Sequence, residues 1–147
     1  VPYSVNVIIG NPYETRELVF DTINLNRELG GFDSVAPNIL TPYHGTGLRD
    51  DAIKEGWLDP ELQTNSFVGG SILRMPPPYL QADEMLRLQR VYNLYVILPK
   101  SRWHEIERAE KLLGTDEGEA LWNKLKEEFY EKKYGTTEAE RKLTYAG

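Results

Sequence analysis

The spacing of apolar positions changes along the chain, and each change marks an element. Val5, Val7, Ile8 and Ile9 form a β-branched run closed by Gly10. A short continuous apolar run bounded by a turn signal predicts a strand buried on both faces. Gly10-Asn11-Pro12 breaks it. From Arg16 to Leu29 the spacing becomes three and four, through Val19–Ile23 and Leu25–Leu29, which predicts a helix with one buried face. Thr15 is the expected N-cap, and Glu14 and Glu17 lie where the helix dipole favours anions. Gly30-Gly31 is the stop. Phe32, Val35, Ala36, Ile39 and Leu40 predict a second strand. Pro37 within it implies an edge, a bulge or a later start, because proline donates nothing to a ladder. Thr41 to Thr46 reads as a turn and Leu48 to Gly56 as a short helix.

Between Trp57 and Pro78 the period is lost, and Gly69-Gly70 and Pro76-Pro77-Pro78 punctuate the chain. This predicts a long ordered loop with one strand at Ser71 to Met75; loops of that length are often functional. The rest is helical. Ala82 to Leu98 has a wide apolar face that includes Met85, Leu88, Val91, Tyr92, Tyr95 and Val96, and Pro99 ends it. Ser101 is the expected cap of a helix burying Trp103, Ile106, Ala109 and Leu113, stopped by Gly114. Thr115 caps another, with Leu121, Trp122, Leu125 and Phe129 as its buried stripe and Gly135 at its end. Thr137-Glu138-Ala139-Glu140 has capping-box spacing and starts a last short helix.

Strand, helix and second strand make one βαβ unit, whose two strand ends emerge at the same sheet edge, where α/β proteins bind ligands. Two or three parallel strands are few for a complete α/β domain, since parallel sheets need both faces covered and bare edges invite pairing. The expected fold class is therefore α/β, a partial or truncated TIM-like parallel barrel piece followed by a mostly helical C-terminal region. The divisions are residues 1–57 for the βαβ unit, 58–81 for the loop and 82–147 for the helices.

Composition narrows the chemistry. The 147 residues are 40% hydrophobic and 27% charged, with a net charge of −6 and a pI near 5.0. That balance argues against a nucleic-acid or anionic-membrane surface. There is no cysteine. A disulfide framework, a thiolate zinc site, a cysteine nucleophile and an iron–sulfur cluster ligated from within this chain are all excluded. Two histidines, His44 and His104, are too few for a histidine-rich metal site. Neither G-x-G-x-x-G nor a P-loop occurs, which argues against an unrelated nucleotide-binding enzyme. No apolar run approaches a membrane span and no signal peptide opens the chain, so a cytoplasmic location is the default expectation. A chain that starts at Val1 and runs almost at once into a strand is expected to be a piece of something longer, or a tag-trimmed start.

The two turns carry a resemblance. Ile8-Ile9-Gly10-Asn11-Pro12-Tyr13-Glu14-Thr15 is similar to the glycine–glutamate motif of the radical S-adenosylmethionine (radical SAM) family, often met as I-x-G-x-P-G-E-T. After a crossover helix, Thr41-Pro42-Tyr43-His44-Gly45-Thr46-Gly47-Leu48 resembles that family's T-P-Y-P-G-T-P-L, and Glu55-Gly56-Trp57 its E-G-W. The order of motif, helix and second motif also matches. Asn6 and Tyr13 stand where the family pattern has glycines, and His44 and Gly47 where it has prolines. The resemblance covers roughly the first 57 residues. The family's CxxxCxxC, which holds the [4Fe–4S] cluster, would lie upstream. More weakly, Leu73-Arg74-Met75 and Val91 to Lys100 resemble the helical region after the barrel in radical SAM proteins with an upstream cobalamin-binding domain.

The resemblance implies a site. In the family, the cluster cleaves S-adenosylmethionine reductively and the 5′-deoxyadenosyl radical takes a hydrogen atom from substrate. Ile8 would pack against the adenine, Gly10 would let the backbone pass close, and the backbone of Thr41, Pro42 and Tyr43 would hydrogen-bond the adenine edge. Glu14 is either a cofactor-side hydrogen-bonding group or an anion near a helix start. The implied cofactors are S-adenosylmethionine and a [4Fe–4S] cluster, with cobalamin in the subclass, and the implied partner is the remainder of the parent polypeptide. Catalytic residues and metal ligands are not assigned within this chain, and the fragment alone is expected to be inactive. Its unpaired edges and wide apolar helix also predict self-association into an oligomer. The reading from a different class is a stand-alone α/β-plus-helical module for protein interaction or self-assembly. His44 reads as an exposed turn residue and Arg74 as a surface arginine, although an arginine there suits a carboxylate or phosphate. Glu105, Glu107, Glu110, Glu127, Glu128 and Glu131 lack paired-histidine spacing and read as solvated faces.

Overall fold

A computed structural model describes residues 3–63 and 70–145, the last three as backbone only. The chain is mixed α/β and divides into two compact units, residues 1–89 and 90–147. Two strands, β1 (Ser4–Ile9) and β2 (Ser34–Ile39), flank α1 (Arg16–Leu29), and α2 (Gly47–Lys54) follows. Then come α3 (Ala82–Ile97), a single 3-10 turn at Lys100–Arg102, α4 (Trp103–Leu112), α5 (Asp116–Tyr134) and α6 (Glu138–Tyr145). The βαβ unit and the helical region are thus as the periodicities predict, each to within two residues. The expected strand at Ser71 to Met75 does not form. That segment stays irregular, and its Arg74 N–H donates to the Trp57 carbonyl at 2.8 Å instead of joining a ladder. Leu73 and Met75 are nonetheless buried and Arg74 exposed, the alternation that made the segment look like a strand.

β1 and β2 are parallel, paired from Ser4↔Ser34 to Ile9↔Ile39. Leu40 N–H donates to the Ile9 carbonyl at 2.8 Å. Because alternate residues of a parallel strand bond toward one neighbour, the even positions of β2 aim at β1 and the odd ones aim outward. Pro37 therefore places its missing N–H on the outer edge, which resolves its presence in a strand. Its carbonyl accepts from the Gln89 side chain at 3.0 Å.

The sheet is buried on one face only, not on both. Val7, Ile9 and Val35 are buried, whereas Ser4, Asn6, Ile8, Ala36 and Asn38 are exposed. The helix shows a similar division. Val19, Ile23 and Asn26 form its buried stripe. Leu18, Leu25 and Leu29, counted by spacing with the buried face, are about half exposed. At 100° per residue these leucines fall together on a flank roughly a quarter-turn from the stripe. Their i, i+4 spacing is genuine; it marks a surface that the described residues do not cover.

The C-terminal unit departs from expectation in its caps and its core. A 3-10 turn replaces the expected cap at Ser101, whereas the stop is as expected: Leu113 is the C-cap of α4 and Gly114 follows it with φ +93°. Leu125 is fully buried, but Leu121, Trp122, Phe129, Trp103 and Leu113 are only partly so. Glu110 is not on a solvated face: with 2% of its surface exposed, it accepts the Tyr95 hydroxyl at 2.9 Å. It lies four residues after Ile106 and so falls on the core side of α4. Two caps behave as the sequence predicts. Thr115 Oγ1 accepts from Gly118 N–H at 3.1 Å. Thr137 and Glu140 form a reciprocal capping box, at 3.2 Å and 2.9 Å.

One ion pair in this unit has a pH consequence. Arg90 grips Glu119 with two bonds of 2.8 Å and 2.7 Å, and Gly114 N–H adds a third at 3.1 Å. Together they pull the Glu119 carboxyl from 4.5 down to about 2. A depressed folded-state value means that the stabilisation is complete above the unfolded value and is lost as pH falls through the folded one. Acidification from 4.5 toward 2 should therefore destabilise the chain more than it destabilises Glu119→Gln, and thermal melts across that window measure the difference.

Candidate functional site

The first turn is built by one carboxylate. Glu14 reaches back over Gly10-Asn11-Pro12 and accepts the N–H groups of Gly10 and, at 3.2 Å, Asn11. Its own N–H donates to the Asn11 carbonyl at 3.0 Å. Thr15, the N-cap of α1, makes no side-chain cap bond; the Glu14 carboxylate closes the preceding turn and not the helix end. Beside the two readings from sequence, the geometry shows Glu14 bracing the turn.

Two residues of this turn have left-handed backbone. Gly10 has φ +83°, and a Cβ built there would lie 2.5 Å from Met85 Sδ of α3. The glycine is thus required by packing against α3 as well as by backbone. Tyr13 has φ +67°, the one non-glycine residue at positive φ among the described residues. It stands where the family pattern has a glycine, and its backbone bends as glycine bends with least strain. Its ring is held by two others. Tyr13 and Trp57 have centroids 4.9 Å apart, and Tyr79 lies 5.6 Å from each. The two contacts of Tyr13 are edge-to-face, a geometry that adds about 0.5–1.5 kcal/mol per pair beyond burial. Loss of water around the ring, and then the charge and hydrogen bond of Glu55, push the Tyr13 phenol above its ordinary value.

The second turn follows β2. Thr41 is half-buried, Pro42 buried and Tyr43 exposed. The Pro42 carbonyl accepts from Arg49 Nη1 at 3.2 Å, and the Tyr43 carbonyl from Thr46 Oγ1 at 2.7 Å. The backbone groups of Thr41 and the N–H of Tyr43 make no hydrogen bond among the described residues. Arg49 was not singled out by sequence. Its surface is only 2% exposed, and its Nη2 also reaches the carbonyls of Leu62, at 2.6 Å, and Pro60, at 3.4 Å. Nothing in a lone arginine on a short amphipathic helix marks it as buried; its acceptors lie up to 13 residues away.

These residues meet at the ends of the two strands. Ile8 and Asn38 are paired in register and both are exposed, so an apolar side chain stands on the open sheet face near the end of β1, and Thr41 to Tyr43 follow the end of β2 at the same sheet edge. Gly10 and Glu14 lie on the other strand's turn. His44 is exposed. Among the described residues, no group of three or more His, Asp or Glu side chains is placed to hold a metal ion, and no helix is long and apolar enough to cross a membrane. Compared with known protein families, curated proteins and solved structures, the chain matches none.

Proposed function

We propose that this chain is the C-terminal part of a radical SAM-type barrel with its following helices, and that it contributes the adenine-side wall of an S-adenosylmethionine site. One observation carries the reading: Tyr13 adopts φ +67° at the position where the family pattern has glycine. Glycine is the residue that adopts such a backbone with least strain, so a positive φ at Tyr13 supports reading this turn with the family's pattern. The open sheet face supports the same reading, since Asn6, Ile8, Ala36 and Asn38 would line a barrel's interior when further strands are added. The groups that fit S-adenosylmethionine are the exposed Ile8 side chain, for the flat adenine face, and the unbonded backbone of Thr41 and Tyr43, for its polar edge. Gly10 and Glu14 shape the turn. The [4Fe–4S] cluster does not fit this chain, which has no thiolate to hold it. Its chemistry belongs to the remainder of the parent polypeptide.

The test is the parent reading frame. It should encode CxxxCxxC upstream, and the longer chain, reconstituted with iron and sulfide, should bind S-adenosylmethionine with an affinity that Ile8→Asp lowers. A frame without those cysteines sinks the proposal. So would tight binding of S-adenosylmethionine by the 147-residue chain alone in calorimetry. A second reading, a self-assembly module, is favoured by the half-exposed Leu18, Leu25 and Leu29 beside a two-stranded sheet with bare edges. It predicts an oligomer in light scattering that Leu25→Lys disperses.

A further inference from the structure

A cavity of about 540 Å³ opens in the N-terminal unit, within the range of small-molecule pockets. Trp57, Leu58 and Leu73 line it and are buried, giving an apolar floor, and Arg74 and Asp59 are exposed on its walls. The segment that carries Arg74 is fixed. Leu73 N–H donates to Ser71 Oγ at 3.1 Å, and Arg74 N–H to the Trp57 carbonyl at 2.8 Å.

The Arg74 guanidinium is a different matter. It makes no hydrogen bond or ion pair among the described residues. Arg16, Arg87, Arg90, Arg102 and Arg108 all reach carboxylates. Arg49 has three carbonyls. The chain carries six more negative than positive charges, and residues 64–69 contain no acid. An arginine left unpaired on a fixed wall of a cavity of mixed polar and apolar lining, in an acidic chain, is suited to an external anion.

We propose that this cavity binds a small monocarboxylate with an apolar body, the carboxylate on Arg74 and the body against Trp57, Leu58 and Leu73. Guanidinium matches carboxylate in a planar, bidentate fork. Asp59 in the same lining disfavours a dianion such as phosphate, because like charge at close range raises the cost of each added negative charge. The proposal does not rest on the radical SAM reading, since it concerns this chain alone and a ligand other than the cofactor.

The experiment is a titration of the 147-residue chain with octanoate, followed by amide and indole NMR, with octanol and inorganic phosphate as comparison probes. Octanoate should give saturable shifts at Trp57, Leu58, Leu73 and Arg74. Arg74→Gln should weaken it about tenfold, the loss of one charge-assisted contact, and Asp59→Asn should tighten it. Arg74 is exposed, so the variant is expected to keep the parent amide spectrum elsewhere. Absence of saturable shifts, phosphate binding as tightly as octanoate, or equal octanoate affinity in Arg74→Gln would each overturn the proposal.

Discussion

Gly10→Ala should lower the stability of the N-terminal unit by about 2–4 kcal/mol, from two independent costs. An alanine held at φ +83° pays roughly 1–2 kcal/mol for left-handed backbone. Its Cβ would also stand 2.5 Å from Met85 Sδ, and forcing carbon into a packed site costs about 1–3 kcal/mol. Methionine is flexible, which keeps the second cost toward the low end. The two are separable. In the Met85→Ala background the steric part disappears and the backbone part remains, so the double variant should be more stable than the sum of the singles predicts, by on the order of 1 kcal/mol. Amide exchange at Leu40, whose N–H donates to Ile9, reports on this unit and not on the C-terminal one. An unchanged exchange rate in Gly10→Ala would mean that the turn is not left-handed there.

That glycine also shows what could be read from the sequence. Gly10, Glu14 and Thr15 fall at the change from strand spacing to helix spacing, so the turn and both flanking elements were visible from residues within a few positions of one another. The same holds for Thr115 and for the Thr137–Glu140 box, whose bonds are local. What was hidden depends on residues far apart. Spacing alone joined the Val19–Ile23 stripe and the Leu25–Leu29 pair into one face, because only a neighbour decides which side of a helix is covered. Glu110 was read as solvated because its type is, although Tyr95 lies 15 residues earlier to satisfy it. Pro37 was ambiguous until the register placed its missing donor on the outer edge. Within the candidate site, the pattern of glycines and prolines marked both turns. It did not reveal that Met85 fills the space beside Gly10, that Tyr13 is pinned between Trp57 and Tyr79, or that a buried arginine ties the second turn down.

Arg49 is where the second large effect is expected. The guanidinium joins three carbonyls: Pro42 in the turn after β2, and Pro60 and Leu62 beyond α2. Among the described residues its acceptors are carbonyls and no carboxylate pairs with it, so the forked donor array is what keeps the group buried. Removing it leaves the buried Pro42 carbonyl without a donor, which costs about 1–3 kcal/mol, and releases the carbonyls of the exposed Pro60 and Leu62 to water. Arg49→Ala adds an unfilled volume and should cost about 3–5 kcal/mol in all. Arg49→Lys is the more informative change. It keeps the charge but not the fork, and a single ammonium does not span acceptors that now take two separate nitrogens. It should recover only part of the loss, and the Thr46 amide, which donates to the Tyr43 carbonyl at 3.3 Å, should exchange faster while Leu40 stays protected. If lysine restored full stability, charge and not geometry would hold the turn. If the radical SAM reading is right, the same substitution in the longer chain should weaken S-adenosylmethionine binding with little change at the cluster, because Arg49 acts by positioning the Thr41–Tyr43 backbone and touches no cofactor itself. The cluster's visible absorption should then be unchanged while cofactor affinity falls, a split that general unfolding would not produce.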